Sequence, residues 1–293
     1  MVGRNILDAL ATSSHEVLSP SRFALNLFDE QAVLQFLSKA QPDFIIHCAG
    51  KIGGIQANIN DPLGFFVENF DMGRNLILAA QKAGIPRLLN LGSSCMYPRN
   101  VNNPLRENQI LTGELEPTNE GYALAKIGVQ KLCHYTMQKY PNFKYKTLIP
   151  CNLYGCYDKF NLERAHLIPA AIQKIHEAKK NNHPTVTIWG DGKARREFMY
   201  TGDLADFIVK KMTFFDGWPN LMNLSAVNDH TVTEYYEKIK SVTGYEGDFV
   251  YDCQKPVGMR QKLMDSTLQQ TLGWTPPTSL EEGLKKTYLF FTG

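Results

Sequence analysis

A tyrosine and a lysine four residues apart, Tyr122 and Lys126 in NEGYALAKIGVQ (119–130), are the first residues whose spacing suggests chemistry. On a helix that spacing puts both side chains on one face. An ammonium beside a phenol favours the phenolate and can hold its pKa, near ~10 in water, about 1–3 lower. Such a phenol can give and take a proton in a carbinol–ketone interconversion. The spacing alone says little, because Tyr135/Lys139, Tyr140/Lys144, Tyr236/Lys240 and Tyr251/Lys255 repeat it. What distinguishes Tyr122 is Ser93, 29 residues earlier in LGSSCMYP, where an apolar run ends and a polar loop begins. A hydroxyl there can hydrogen-bond the same substrate oxygen that the tyrosine protonates.

The elements that must position these residues alternate. HEVLS (15–19) reads as a short strand, and DEQAVLQFLSKA (29–40) as a helix with an acidic start. DFIIHCAG (43–50) and IPRLLNLGSS (85–94) are continuous apolar runs of the kind that buried parallel strands show. Helices are expected over 61–83, opened by Asp61-Pro62, and over 121–140; YKTLIPCNLYG (145–155) reads as strand, then turn. Strand–helix–strand repetition predicts an α/β, Rossmann-like, doubly wound parallel sheet. Beyond about 155 the rhythm loosens into helices near 167–181, from 203, from 233 and from 279, with strands VTIWG (186–190) and REFMYT (196–201). The expected division is a cofactor-binding domain over 1–155 and a smaller α/β, mainly substrate-binding portion over 156–293, laid against the carboxyl edge of the sheet.

Composition narrows the function class. The 293 residues carry a net charge of +2 with basic residues scattered, which points away from nucleic acid, and no apolar run is long enough to span a bilayer. The six cysteines form no C-x-x-C pair, so a structural zinc site is not expected; buried, reduced thiols and a cytoplasmic location are.

Seven stretches, in order over almost the whole chain, carry a resemblance: GKIGGIQAN (50–58), LGSSCMYP (91–98), LEPTNEGYALAK (115–126), PCNLYGCYDKF (150–160), AHLIPA (165–170), WGDGKARREF (189–198) and KPVGMRQKLMD (255–265). The chain resembles the extended short-chain dehydrogenase/reductases, and within them the GDP-L-fucose synthases. These enzymes epimerise GDP-4-keto-6-deoxy-D-mannose at C3 and C5 and reduce it at C4 with NADPH. The resemblance implies that Ser93, Tyr122 and Lys126 form the reducing triad, and that Cys95 and His166 are the acid/base pair of epimerisation. The chemistry agrees: a C4 ketone acidifies C3–H and C5–H, and Cys and His, with reference pKa values near ~8.5 and ~6.5, are suited to moving those protons around neutral pH. Sugar-nucleotide dehydratases of the same family carry an acidic pair after the catalytic Ser or Thr, whereas Cys95 and Met96 follow Ser94 here.

The same resemblance places Arg196 on the nucleotide diphosphate, a role its guanidinium fork suits, with Asn152, Trp189, Lys262 and Asp265 lining the pocket. Val257 stands where the family commonly has Asp in K-P-D-G, so related colitose-type or heptose-type GDP-keto-sugar enzymes stay open alternatives, as does a catalytically silent nucleotide-binding scaffold. For the cofactor, HEVLS lacks a terminal Asp or Glu for an NAD ribose. SPSR follows instead, and Arg22 aligns with an arginine that takes the NADPH 2′-phosphate, with Asn26, Leu27, Lys126 and His166 also on the cofactor side. A homodimer is implied, through helices 61–83 and 121–140 in a four-helix arrangement. Finally, Gly3 in MVGRNILDAL matches the last glycine of the family's G-x-x-G-x-x-G turn, so a preceding strand and the earlier glycines of that turn are expected upstream of Met1.

Overall fold

The computed structural model describes residues 1–162, 165–255 and 258–293. In chain order its elements are α1 (Val2–Leu10), α2 (Glu30–Ala40), β1 (Ile45–His47), α3 (Ile55–Asn60), α4 (Pro62–Lys82), β2 (Arg87–Leu91), α5 (Glu120–Lys139), β3 (Lys144–Pro150) and β4 (Asn152–Tyr154). There follow α6 (Leu167–Lys180), β5 (Thr185–Trp189), β6 (Arg195–Tyr200), α7 (Thr201–Lys211), β7 (Leu221–Leu224), β8 (Asp229–Thr231), α8 (Val232–Thr243), β9 (Asp248–Asp252), β10 (Gln261–Lys262), α9 (Thr267–Thr271) and α10 (Leu280–Thr292). Local chemistry starts the helices. Asp29 accepts from the Ala32 N–H at 2.9 Å and Asp61 from the Gly64 N–H at 2.9 Å, with Pro62 in the first turn of α4. Thr231 and Glu234 form a reciprocal capping box on α8.

The first sheet is parallel, in the order β1-β2-β3-β7. Its middle strands are buried along nearly their whole length, as their continuous apolar sequences require. Ile6 and Leu10 of α1 and Leu204, Phe207 and Ile208 of α7 pack on one face with Leu89, Leu91 and Leu148. Val33, Leu37, Ile77 and Val129 of α2, α4 and α5 pack on the other with Leu88 and Tyr145. That is the doubly wound α/β sandwich expected from the sequence. A second sheet runs β10-β6-β4, with β8 antiparallel to β6; β5 and β9 form a separate parallel pair. Tyr154, Ile168, Ile172, Phe198, Tyr235, Ile239 and Leu284 make its core.

Two expectations are corrected. HEVLS forms no strand: 15–19 pairs with no neighbour, and Val17 and Leu18 are exposed. A strand needs a neighbour's hydrogen bonds, and β1 is the last strand on that side of the sheet. The stretch 145–155 is two strands in two sheets. The Cys151 N–H still bonds the Leu224 carbonyl at 3.0 Å, and Asn152 already pairs with Phe198. The second half also returns to the first sheet. Strand β7, four residues long and too short to declare itself by pattern, closes the outer edge of β3, and α7 covers the layer beside α1.

Candidate active site

Strand β2 delivers the first reactive loop. The Gly92 N–H continues the ladder to the Leu148 carbonyl at 2.8 Å, after which Ser93 opens a single 3₁₀ turn over Ser94–Met96. A Cβ on Gly92 would come within 3.1 Å of Ile149 and Met96, so the loop enters through a tight space in which a larger residue would have to push its neighbours aside. Buried Met96 and Tyr97 anchor it, the Tyr97 hydroxyl donating to Asn223 Oδ1 at 2.5 Å. This leaves the Ser93 hydroxyl, which accepts from the Cys95 N–H at 3.3 Å, at the carboxyl edge of the sheet, where ligands bind in such folds.

Helix α5 brings up Tyr122 and Lys126. It lies close against α4: a Cβ on Gly73 would meet Val129 Cγ2 at 2.5 Å, and one on Gly128 would meet Phe70 at 2.8 Å. The Tyr122 ring sits edge-on to Phe65, with centroids 6.3 Å apart. Lys126 is buried, donates from Nζ to the Leu91 carbonyl at 2.8 Å, and stands 5.7 Å from the Tyr122 ring centre. Ser93, Tyr122 and Lys126 are therefore brought together, but the electrostatics differ from expectation. The Tyr122 pKa is raised, not lowered: burial dominates, the nearby Cys95 adds to it, and a hydrogen bond with Ser93 only partly offsets them. Burial also lowers Lys126, to about 8. A phenol kept protonated is a proton donor, the form a ketone reduction needs.

Cys95 has two partners. Its Sγ accepts from Asn119 Nδ2 at 3.2 Å and from Lys262 Nζ at 3.9 Å. Lys262 comes from β10, where it is paired in register with Arg196 of β6. Asn119 was not singled out in the sequence; its one legible signal is its position three residues before Tyr122, at the end of the 3₁₀ turn that leads into α5. A thiolate at Sγ would find both donors in place. His166 precedes α6 without capping it, and burial lowers its pKa, with Lys159 adding to the effect, so the imidazole is neutral near pH 7 and can accept a proton. The turn that begins α3 touches both regions: a Cβ on Gly54 would lie 3.2 Å from the Ala165 carbonyl, while α3 packs against the 117–119 turn that carries Asn119.

The remaining candidates spread along β6 and its neighbours. Arg196 is held under the Tyr235 hydroxyl, which donates to its carbonyl at 2.8 Å. Trp189, half exposed at the end of β5, lies between two cations: Lys174 Nζ is 5.1 Å and Lys255 Nζ 5.5 Å from its ring centre. Neither lysine was singled out in the sequence, and only the α6–β5 contact brings Lys174 there. Asn152 donates to the Glu197 carbonyl at 2.9 Å and so ties β4 to β6. Asp265 accepts from the Thr267 N–H at 2.9 Å and sits 3.5 Å from Arg106. Val257 lies outside the described residues. Glu197 was also missed. Its buried carboxylate accepts from the Ser225 hydroxyl, from the Ala226 and Val227 N–H groups at 2.5 and 3.2 Å, and from the Met264 N–H at 2.9 Å. It thereby fixes the segment that carries Lys262.

On the cofactor side, Gly3 packs helix α1 onto the end of β1, with 3.5 Å from its would-be Cβ to Cys48. Arg22 is exposed on a turn, Asn26 caps the Phe28 N–H, and the Leu27 carbonyl accepts from Asn75. Past β1, Asn69 brackets Lys51 with two backbone hydrogen bonds, and a Cβ on Gly50 would meet its Oδ1 at 3.1 Å. The backbone there fits closely beside the half-exposed Lys51.

The family model described as the NAD dependent epimerase/dehydratase family matches residues 1–224. The chain is 52% identical to a GDP-L-colitose synthase of Yersinia pseudotuberculosis, over 99% of this chain and 94% of that one. It is 47% identical to a GDP-L-fucose synthase of Azorhizobium caulinodans, over 99% and 93%. Among solved structures, a GDP-6-OMe-4-keto-L-xylo-heptose reductase from C. jejuni superimposes with a TM-score of 0.92 at 27% identity, covering 99% of this chain and 94% of that one. A GDP-L-fucose synthetase from Naegleria fowleri bound to NADP, 24% identical, matches in fold with a TM-score of 0.89 over 99% and 89%.

Proposed function

The chain belongs to the NAD dependent epimerase/dehydratase family, and from that premise we propose that it converts GDP-4-keto-6-deoxy-D-mannose to GDP-L-fucose by epimerisation at C3 and C5 and NADPH-dependent reduction at C4. The observation that carries this reading is Cys95: a thiol with amide and ammonium donors on its sulfur, two residues from the serine that hydrogen-bonds Tyr122. Reduction alone needs no thiol there. Epimerisation needs a group that removes a proton beside the ketone and another that returns one from the opposite face. Cys95 and His166 take those roles: the one that starts without a proton removes one from carbon, and the other, which starts with its proton, returns it to the opposite face. Ser93 and Tyr122 hold O4 while charge develops on it. NADPH, when bound, supplies the hydride for C4. Tyr122 gives its proton to O4, and the Lys126 ammonium stabilises the phenolate left behind.

Arg196, Trp189, Lys174 and Lys262 form the cationic and aromatic end suited to a nucleoside diphosphate. The identity to a GDP-L-colitose synthase favours one second reading, in which the sugar is the 3-deoxy counterpart and only C5 is inverted. Incubation with NADPH and GDP-4-keto-6-deoxy-D-mannose tests the first reading. NADPH oxidation and a product carrying solvent deuterium at both C3 and C5 are expected; no oxidation, or deuterium at C5 alone, overturns it.

The assembly belongs to the same reading: a homodimer through α4 and α5. Leu63, Phe66, Val67 and Leu124 leave an apolar stripe exposed on those helices, whereas Val129 is buried between them. No helix among the described residues is long and apolar enough to cross a membrane, and the six cysteines are unpaired, which suits a reducing cytoplasm. A particle mass near 33 kDa in solution would refute the dimer.

A further inference from the structure

A small cavity of about 150 Å³ opens beside Tyr122, between α3 and the turn that precedes α5. Two asparagines line it, and each has a side-chain oxygen that nothing in the protein satisfies: Asn58 Oδ1 and Asn119 Oδ1 are buried and receive no hydrogen bond. Their orientations are not arbitrary. Asn58 is 6% exposed, and its Nδ2 donates to the Gly53 and Gly54 carbonyls, both at 3.0 Å. A flipped amide would set oxygen against oxygen twice. With Cys95 as the thiolate base, Sγ can only accept, so Asn119 turns its Nδ2 to the sulfur at 3.2 Å and its oxygen the other way. Two residues lining the cavity therefore carry unmatched acceptors, which calls for a donor. Leaving buried acceptors unmatched is unfavourable, and the deficit is removed when a ligand brings a hydroxyl.

We propose that Asn58 and Asn119 form a hydroxyl-recognition site for the sugar, and that the hydroxyl is the one on C3. This rests on the reading of the substrate as a GDP-linked 4-keto-6-deoxy hexose. The carbons flanking the ketone are not equivalent. C5 carries a methyl group and the ring oxygen and has no donor to offer, whereas C3 carries a hydroxyl on the same carbon whose proton Cys95 removes. An amide whose nitrogen touches the base and whose oxygen is free meets a donor only on the C3 side. The contact has a catalytic consequence: a hydroxyl donating to Asn119 Oδ1 polarises the amide and strengthens its N–H···S bond to the thiolate. The 3-hydroxyl thus helps to hold the base that acts on its own carbon.

The test compares kcat/KM for GDP-4-keto-6-deoxy-D-mannose and its 3-deoxy analogue, in the wild-type protein and in Asn58→Ala and Asn119→Ala, with NADPH affinity measured alongside. Loss of one hydrogen bond to a buried acceptor predicts that the wild type favours the 3-hydroxy substrate by about 10- to 100-fold. In Asn58→Ala the preference should shrink several-fold, through loss on the 3-hydroxy substrate alone, with NADPH affinity unchanged. A merely structural role for Asn58 in the 53–58 turn would lower both substrates together and keep the ratio; that outcome overturns the proposal. Equal efficiency with both substrates in the wild type, as when a retained water satisfies the two acceptors, also overturns it while leaving the GDP-keto-sugar reading intact. NADPH oxidation with neither substrate would overturn both.

Discussion

Glu197→Gln is the substitution whose effect can be worked furthest from the structure. The Glu197 carboxyl is 1% exposed, and burial raises its pKa from 4.5 to about 7, even though hydrogen bonds from Ser225, Met264, Ala226 and Val227 pull the other way. The folded protein therefore binds this proton more tightly than the unfolded chain does. The stability that follows is fully present below pH 4.5 and is lost as pH rises through about 7. Between pH 5 and pH 8 the loss is about 2–3 kcal/mol, or roughly 5 °C in Tm for a chain of this size. Glutamine does not titrate, so its stability profile should lack this component and flatten relative to the wild type. It carries a separate cost. Oε1 takes three of the donors and Oε2 one, the Met264 N–H at 2.9 Å. Placing the amide nitrogen at the Oε2 position sets donor against donor there, at about 1–3 kcal/mol. Met264 is two residues from Lys262, so the variant should also displace Lys262 from Cys95 and slow epimerisation more than it weakens NADPH binding. The assay is urea unfolding of both proteins at pH 5 and pH 8. Parallel pH profiles would show that Glu197 does not titrate between those limits and would refute the reasoning.

Three further outcomes are expected. Cys95→Ser should abolish solvent deuterium exchange at C3 and C5 and leave NADPH affinity intact, whereas Tyr122→Phe should lower the reduction rate by about 10²–10⁴-fold; full exchange in Cys95→Ser would remove the thiol from the mechanism. Because burial brings Lys126 to about 8 and its charged form stabilises the phenolate, the rate of reduction should fall as pH rises through that value. Lys126→Arg should move that limb to higher pH, and a flat wild-type profile from pH 7 to 9 would contradict the role. Gly73→Ala should destabilise the protein by about 1 kcal/mol: the new methyl meets Val129 Cγ2 at 2.5 Å, and overpacking of about 1–3 kcal/mol outweighs the ~1 kcal/mol that alanine gains in helix propensity. A raised denaturation midpoint would show that α4 and α5 can separate freely.

The sequence by itself determined the elements whose signal is local. Asp61-Pro62 starts α4, Thr231 and Glu234 start α8, and the apolar runs around Leu88–Leu91 and Tyr145–Ile149 could only be buried strands. It also singled out Ser93, Tyr122 and Lys126, because a helical i,i+4 pair and a hydroxyl at a strand end are short-range features. Tertiary structure decided what depends on partners. HEVLS has a strand's composition and no strand's hydrogen bonds, since pairing is a property of the neighbour as much as of the segment. Strand β7 is too short to be read alone and exists because β3 has an open edge. The tyrosine pKa went up where the sequence pattern pointed down, because burial dominates it and the lysine ammonium is bonded to Leu91 instead. Asn58, Asn119, Lys174 and Glu197 were invisible as site residues for the same reason. Each acquires its role from a group distant in the chain, 15 residues away at the nearest for Lys174 and Trp189, or from a cavity wall it shares, and the distances that create such roles exist only once the chain has folded.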